Sequence, residues 1–141
     1  VIILDTNVIS ACMLPSKNQV VVDWLNRQVI EDLWTTTVTL FELQYGIENL
    51  AAGTRRSELE SAWQELASAV FDDRILAFDS RAARASAELA FRRKARRRIV
   101  DVRDTFIAGV AISRSATVAT RNTRDFADAG IPLIDPWTAT A

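Results

Sequence analysis

Apolar positions along this chain follow two spacings, a short continuous run and a helical stripe, and the two take turns. Residues 1–4, Val1-Ile2-Ile3-Leu4, are a β-branched apolar run that ends at Asp5-Thr6-Asn7, residue types that cap helices, so a strand feeds a helix over 8–13. Pro15-Ser16-Lys17-Asn18 breaks the chain, and residues 20–29 resume with Val21, Trp24, Leu25 and Gln28 at helical spacing. Residues 33–36 predict a short strand. Residues 37–52 predict a helix with Leu40, Leu43, Ile47 and Leu50 on one face and Gly53 as its stop. The helical stripe returns over 57–70 through Leu59, Trp63, Leu66 and Val70, a strand is predicted over 75–78, and Asp79 opens an alanine-rich helix that reaches about Arg97. Residues 101–115 carry Phe106, Ile107, Val110 and Ala111 at helical spacing. A strand over 117–120, a turn or short helix around Asp125 and a last strand over 132–134 complete the pattern.

Strands alternating with helices predict a mainly parallel sheet covered by helices. No repeat or linker interrupts the 141 residues, a length that suits one domain spanning 1–141. With 49% apolar and 25% charged residues the chain can bury a core, which excludes disorder.

Charge and residue usage narrow the chemistry. Seventeen Lys+Arg against eighteen Asp+Glu leave a net charge of −1, so any attraction to nucleic acid must come from a local patch. Cys12 is the only cysteine and histidine is absent, which excludes an intramolecular disulfide and every His-dependent triad and makes a zinc site implausible. Catalysis would then need carboxylates, hydroxyls or hard metal ions. No apolar run approaches the ~20 residues that span a bilayer, and the start at Val1 is strand-like rather than a basic signal segment. The expectation is a soluble, cytoplasmic protein with no membrane contact.

Ligands of open parallel sheets sit beyond the carboxyl ends of the strands, where Asp5 falls, although Asp5 serves equally well as a helix cap. Asp104 lies three positions before Ile107 and seven before Ala111, on or beside the helix face that packs on the sheet. Glu42 stands one turn before Gly46, near an inward stripe; its plain alternative is a solvated glutamate in a first turn. The strand over 117–120 runs into Arg121-Asn122-Thr123-Arg124-Asp125, so Asn122 or Asp125 could face the same pocket as Asp5. Like charges ~4 Å apart repel by about 4 kcal/mol at an effective dielectric near 20, so converging carboxylates need protons or cations. Oxygen ligands without His or Cys suit Mg²⁺ or Mn²⁺, ions that serve phosphodiester hydrolysis.

Four segments in order, Leu4-Asp5-Thr6-Asn7, Glu42-Leu43-Gln44-Tyr45-Gly46-Ile47, Asp104-Thr105-Phe106-Ile107-Ala108 and Thr120-Arg121-Asn122-Thr123-Arg124-Asp125-Phe126, resemble the ordered motifs of PIN-domain ribonucleases of the VapC and FitB toxin group. The resemblance covers residues 1–137. It implies a three-layer α/β/α PIN-like fold with a mainly parallel central sheet, and the toxin of a type II, VapBC-like toxin–antitoxin system. The implied activity is a Mg²⁺- or Mn²⁺-dependent endoribonuclease that inhibits translation, with transfer RNA the first substrate candidate. Asp5, Glu42 and Asp104 match the family's acidic ligands and Thr6 the hydroxyl beside the first of them, while Asn7 and Thr120 would orient this shell. Many PIN domains place a fourth acid after the last core strand. This chain has Asn122 there, with Asp125 three residues on, so the resemblance offers Asn122 as a ligand or Asp125 as the fourth acid. The implied partners are a VapB-like antitoxin whose tail blocks the acidic pocket, promoter DNA reached only through that antitoxin, the RNA substrate and a second copy in a homodimer. The other reading is a PIN-like subunit without catalysis that completes a DNA-binding repressor complex.

Arg92, Arg93, Lys94, Arg96, Arg97 and Arg98 place six cations in a seven-residue window, either a solvated helix end or a guide for RNA. The resembling toxins often carry a glycine near this stretch and this chain has none. Trp24, Trp34, Trp63 and Trp137 are read as packing residues rather than base-stacking platforms. Two other α/β classes drop out. Haloacid-dehalogenase-type phosphatases need a second acid where Asn7 stands, and nucleotide-binding folds need a glycine-rich phosphate cradle that the chain lacks.

Overall fold

Each strand found is short and each is followed by helix or a tight turn, so the sheet's carboxyl edge is crowded with helix starts. The computed structural model describes residues 1–139; positions 140 and 141 of the expected domain lie outside the described residues. In chain order the elements are β1 (Ile2–Leu4), α1 (Thr6–Cys12), α2 (Gln19–Asn26), β2 (Leu33–Thr36), α3 (Thr37–Glu48), α4 (Thr54–Leu66), β3 (Ile75–Leu76), α5 (Ser80–Ala95), α6 (Val102–Arg114), β4 (Thr117–Ala119), α7 (Thr123–Phe126) and β5 (Leu133–Ile134).

The strands pair in the order β3-β2-β1-β4-β5, every pair parallel. Ile3 pairs with Trp34 on one side and Val118 on the other, and Leu4 pairs with Ala119. Because successive side chains point to opposite faces, Ile3 and Val118 join a core with Leu89, Ile107, Val110 and Phe126 from α5, α6 and α7. Leu4 and Ala119 join the other, with Val8, Val21, Trp24, Leu43, Ile47 and Trp63 from α1 to α4. The result is the expected three-layer α/β/α arrangement with a parallel sheet in the middle.

Several elements depart locally from the sequence pattern, among them the helix predicted over 37–52, which ends at Glu48, with Gly53 standing before α4. The strand predicted over 75–78 stops at Leu76, because the Phe78 N–H donates to the Thr37 hydroxyl (3.0 Å) and the Asp79 N–H turns back to the Ala77 carbonyl (2.9 Å). The helix expected over 57–70 starts earlier, at Thr54, and finishes in a π-helical turn over Ala67–Phe71. Inside the break after α1, Pro15–Lys17 form a 3-10 turn.

The two helices on one face press together at Gly109. A Cβ there would fall 1.8 Å from Ser86 Oγ and 2.7 Å from the Ala82 carbonyl, so only glycine lets α6 lie this close to α5. Among the described residues no helix is long and apolar enough to cross a membrane.

Candidate active site

The apolar run that makes β1 ends at Asp5, which both caps the next helix and lines a cleft. Asp5 caps α1 by accepting the Thr6 N–H on Oδ1 (2.8 Å), and its side chain is aimed into a cleft of about 570 Å³ at the carboxyl ends of β1 and β4. It is 3% exposed, and Oδ2 also accepts from the Thr120 hydroxyl (2.7 Å) and the Asn7 amide (3.2 Å). Three donors stabilise the charged form. Burial outweighs them, and with the nearby Glu42 and Asp125 carboxylates it leaves the Asp5 carboxyl above the usual range.

Glu42 reaches the cleft from the second turn of α3, since β2 passes into α3 without a loop and Thr36 caps it. The Thr6 hydroxyl donates to Glu42 Oε1 (2.9 Å), linking α1 to α3. Asp104, in the first turn of α6, lines the same cleft. Burial, then the charges of Asp5, Glu42, Asp125 and Asp101, pushes its carboxyl up to about 7. Asp5, Glu42 and Asp104, separated by up to 99 positions in sequence, are thus brought to one cavity from three elements.

The supporting side chains form a connected set. Asn7 donates to both Asp5 and the Thr120 hydroxyl (3.3 Å), and its carbonyl oxygen accepts the Arg121 N–H (3.1 Å). Thr120 Oγ1 also accepts the Asn122 N–H (3.0 Å). Of the two candidates after β4, Asn122 lines the cleft. Asp125 does not line it, although its charge acts on both Asp5 and Asp104.

Four charged or aromatic cleft residues carried no site expectation from the sequence. Asp101 caps α6 and holds Arg103 through paired contacts (3.1 and 3.0 Å), and Arg103 stands 3.7 Å from Glu42 Oε2. Arg121 lies over the Trp137 ring, 4.8 Å from its centroid. Trp137 therefore does more than the packing expected of it, although it also packs against the core on the α1 side. An Asp-x-Arg pattern at a helix start and an Asp-Pro-Trp turn were the available signals.

The basic window divides, with Arg93 departing from the expectation. None of its six cations lines the acid cleft. Arg93 is a buried structural residue and not a surface one: it is 3% exposed, its guanidinium grips Asp128 (2.8 and 3.0 Å) and donates to the Thr105 hydroxyl (2.8 Å) and the Asp125 carbonyl (2.6 Å). Arg98 is half-buried, pairs with Asp128 (3.4 Å) and bonds the Arg124 carbonyl. Arg92, Lys94, Arg96 and Arg97 are exposed.

The donors facing the cleft are all oxygens, apart from the Asn amide nitrogens, and they carry more negative charge than Arg103 and Arg121 offset, which fits a hard divalent cation. Among the described residues no three acidic or cysteine side chains are already gathered as a cage. Arg103 occupies one side of Glu42, 3.7 Å from Oε2.

The chain matches the PIN domain over residues 2–132. It is 38% identical over 138 residues to the plasmid stability protein StbB of Pseudomonas syringae pv. tomato, covering 98% of this chain and 99% of that protein. It is 34% identical to the VapC ribonuclease Y4jK of Sinorhizobium fredii (96% and 97% covered) and 35% identical to the toxin FitB of Neisseria gonorrhoeae (96% and 98% covered). Among solved structures, FitAcB from Neisseria gonorrhoeae superposes with a TM-score of 0.88 at 34% identity, over 99% of this chain and 100% of that one. FitAB bound to an IR36 DNA fragment gives 0.89 at 33% identity, over 100% and 99%.

Proposed function

The chain belongs to the PIN domain family, and from that premise we propose that it is the toxin of a VapBC-like toxin–antitoxin pair, an endoribonuclease dependent on Mg²⁺ or Mn²⁺. The reading takes residues 1–141 as one PIN domain that works as a homodimer, is held silent by a VapB-like antitoxin, and meets promoter DNA only through it. The observation that carries it is the convergence of Asp5, Glu42 and Asp104 on one cleft, with Asp104 raised to about 7 by burial and by its acidic neighbours. Such repulsion has a chemical use when a cation relieves it.

A divalent ion bound there supplies the positive charge that polarises a phosphodiester and acidifies water. Asp5, Glu42 and Asp104 would hold it, with Asn122 at the rim as a neutral oxygen donor. Thr6 fixes the Glu42 carboxylate, and Asn7 and Thr120 fix Asp5, so the acidic groups keep their orientation while charge changes hands. Asp125 contributes field rather than contact. The exposed Arg92, Lys94, Arg96 and Arg97 offer an approaching RNA backbone positive charge outside the cleft.

The test is cleavage of structured RNA by the purified protein in Mn²⁺ or Mg²⁺. Asp5→Asn and Asp104→Asn should each lower the rate by more than the ~10–100-fold that loss of an outer-shell partner costs. Metal-dependent cutting that survives both changes would place the activity elsewhere. A protein that binds antitoxin and promoter yet never cuts would favour the repressor-subunit reading.

A further inference from the structure

Two cations line the acid cleft, and they are in opposite states. Arg103 is engaged by Asp101 and Glu42. Arg121 makes no ion pair with a carboxylate among the described residues; its guanidinium is stacked over Trp137 instead. We propose that Arg121, seated on Trp137, is a binding subsite for a backbone phosphate of single-stranded RNA beside the cleavage point, an assignment that rests on the ribonuclease reading.

The placement is fixed from both ends. The Arg121 N–H is bonded to Asn7, the side chain that also donates to Asp5, so the residue is tied to the acid cluster rather than to a free loop. Trp137 is held by its own N–H to Asp135 Oδ1 (2.9 Å) and by partial packing against the core. The contact with the ring holds the guanidinium beside the cleft and leaves its N–H donors free to reach a pair of phosphate oxygens. A cleft with four carboxylates repels a polyanion, and a hard cation can serve the phosphate being cut but not the next one along. The next phosphate needs a side-chain cation not already paired with a carboxylate, and among the described residues of the cleft Arg121 is that side chain. A base is a poorer fit, because the guanidinium already covers the indole face it would stack on.

The test uses the full chain with Asp104→Asn, which should bind without cutting, a fluorescein-labelled single-stranded oligoribonucleotide, and anisotropy titrations in Mg²⁺ across a range of salt. Arg121→Gln should weaken binding about fivefold and lower the slope of log affinity against log salt by about 0.7, the share of one phosphate contact on a single strand. Arg121→Lys should restore the slope. In the cutting protein, Arg121→Gln should raise KM and leave kcat unchanged. An unchanged slope and KM, with or without a lower melting temperature, would make the pair a structural latch and overturn the proposal alone. Weaker binding in Trp137→Leu with none in Arg121→Gln would assign the subsite to a base and overturn it too. A parent protein that neither binds nor cuts RNA would remove the ribonuclease reading and this subsite together.

Discussion

The acid cleft and the Arg93 cluster share α6 and the segment after β4, and both gather charge away from water, yet their charges are arranged in opposite ways. Around Arg93 cations meet anions and carbonyl oxygens, and the buried Arg98 Nε alone lacks a hydrogen bond, standing 3.4 Å from Asp128. The guanidinium meets Asp128, Thr105 and Asp125 in four contacts, and Arg98 adds a second cation to the same Asp128 carboxylate. The carboxyl of Asp128 is accordingly held below its usual range, first by the Arg93 hydrogen bond. In the cleft, carboxylates face carboxylates, and Asp104 is pushed the other way. The satisfied cluster fixes α5, α6 and α7 to one another. The unsatisfied one is the reason to look for a ligand, since a fold does not keep mutually repelling acids for stability.

Deleting one charge from each region should therefore act with opposite sign. Arg93→Met should destabilise the protein by about 3 kcal/mol, because it leaves the half-buried Asp128 and the Thr105 and Asp125 oxygens without their donor. Adding Asp128→Leu should recover much of the loss, as replacing a whole pair costs less than breaking it. Asp104→Asn should instead raise metal-free stability at pH 8. Urea unfolding of the four proteins decides it. Equal losses for Arg93→Met and Asp104→Asn would mean that the two regions do not differ in the way described.

The difference between the regions was only half visible in the sequence. Strand ends are legible because β-branched runs stop abruptly, and Asp5 follows from one of them by position. Glu42 needed its motif neighbours, since helical spacing alone left it a plausible solvated acid, whereas spacing already put Asp104 on or beside the packing face of its helix. Arg93 was hidden by company. Six cations in seven residues read as one wet face, yet Ala82, Ser86, Leu89 and Arg93 are the buried stripe of α5, at steps of four, three and four. Periodicity pointed inward while composition pointed outward, and packing followed periodicity. Arg103 and Trp137 were out of reach for another reason: what places them is a cap and a side-chain turn, which depend on geometry more than on hydrophobic pattern.

Acidity sharpens the contrast at smaller cost. Asp104 has a folded pKa of about 7, against about 4 unfolded, so between those values the folded protein holds a proton that the unfolded chain has lost. Metal-free stability from this group falls as pH rises from about 4 to about 7. Asp128 runs the other way: its contribution is present above its unfolded value and is lost as pH drops through the depressed folded one. Differential scanning in chelator should show the melting temperature declining by about 3 °C from pH 5 to 8, a small shift because Asp104 is half-exposed and screened. Asp104→Asn should flatten that decline, and millimolar Mg²⁺ should offset it in the parent. A flat profile in the parent would mean that the cleft is not under charge stress.

The smallest effect tests how the satisfied cluster is assembled. After α5 the chain closes a Schellman turn, with the Arg98 N–H on the Arg93 carbonyl (2.8 Å) and the Arg97 N–H on the Lys94 carbonyl (3.0 Å). This puts Arg97 at the left-handed position, φ +55°, where glycine is the usual residue, and it is this turn that swings Arg98 back to Asp128. A non-glycine residue there costs about 1–2 kcal/mol, while glycine costs about 0.5–1 kcal/mol in chain entropy, so Arg97→Gly should gain about 0.5 kcal/mol. Arg97→Ala separates the causes, for it removes the same crowded charge and keeps the Cβ. If alanine stabilises as much as glycine, the gain comes from relief among the neighbouring cations, and the turn that joins Arg93 to Arg98 is not strained. If only glycine stabilises, the cluster's pairing is strong enough to hold an arginine in a conformation that its backbone disfavours.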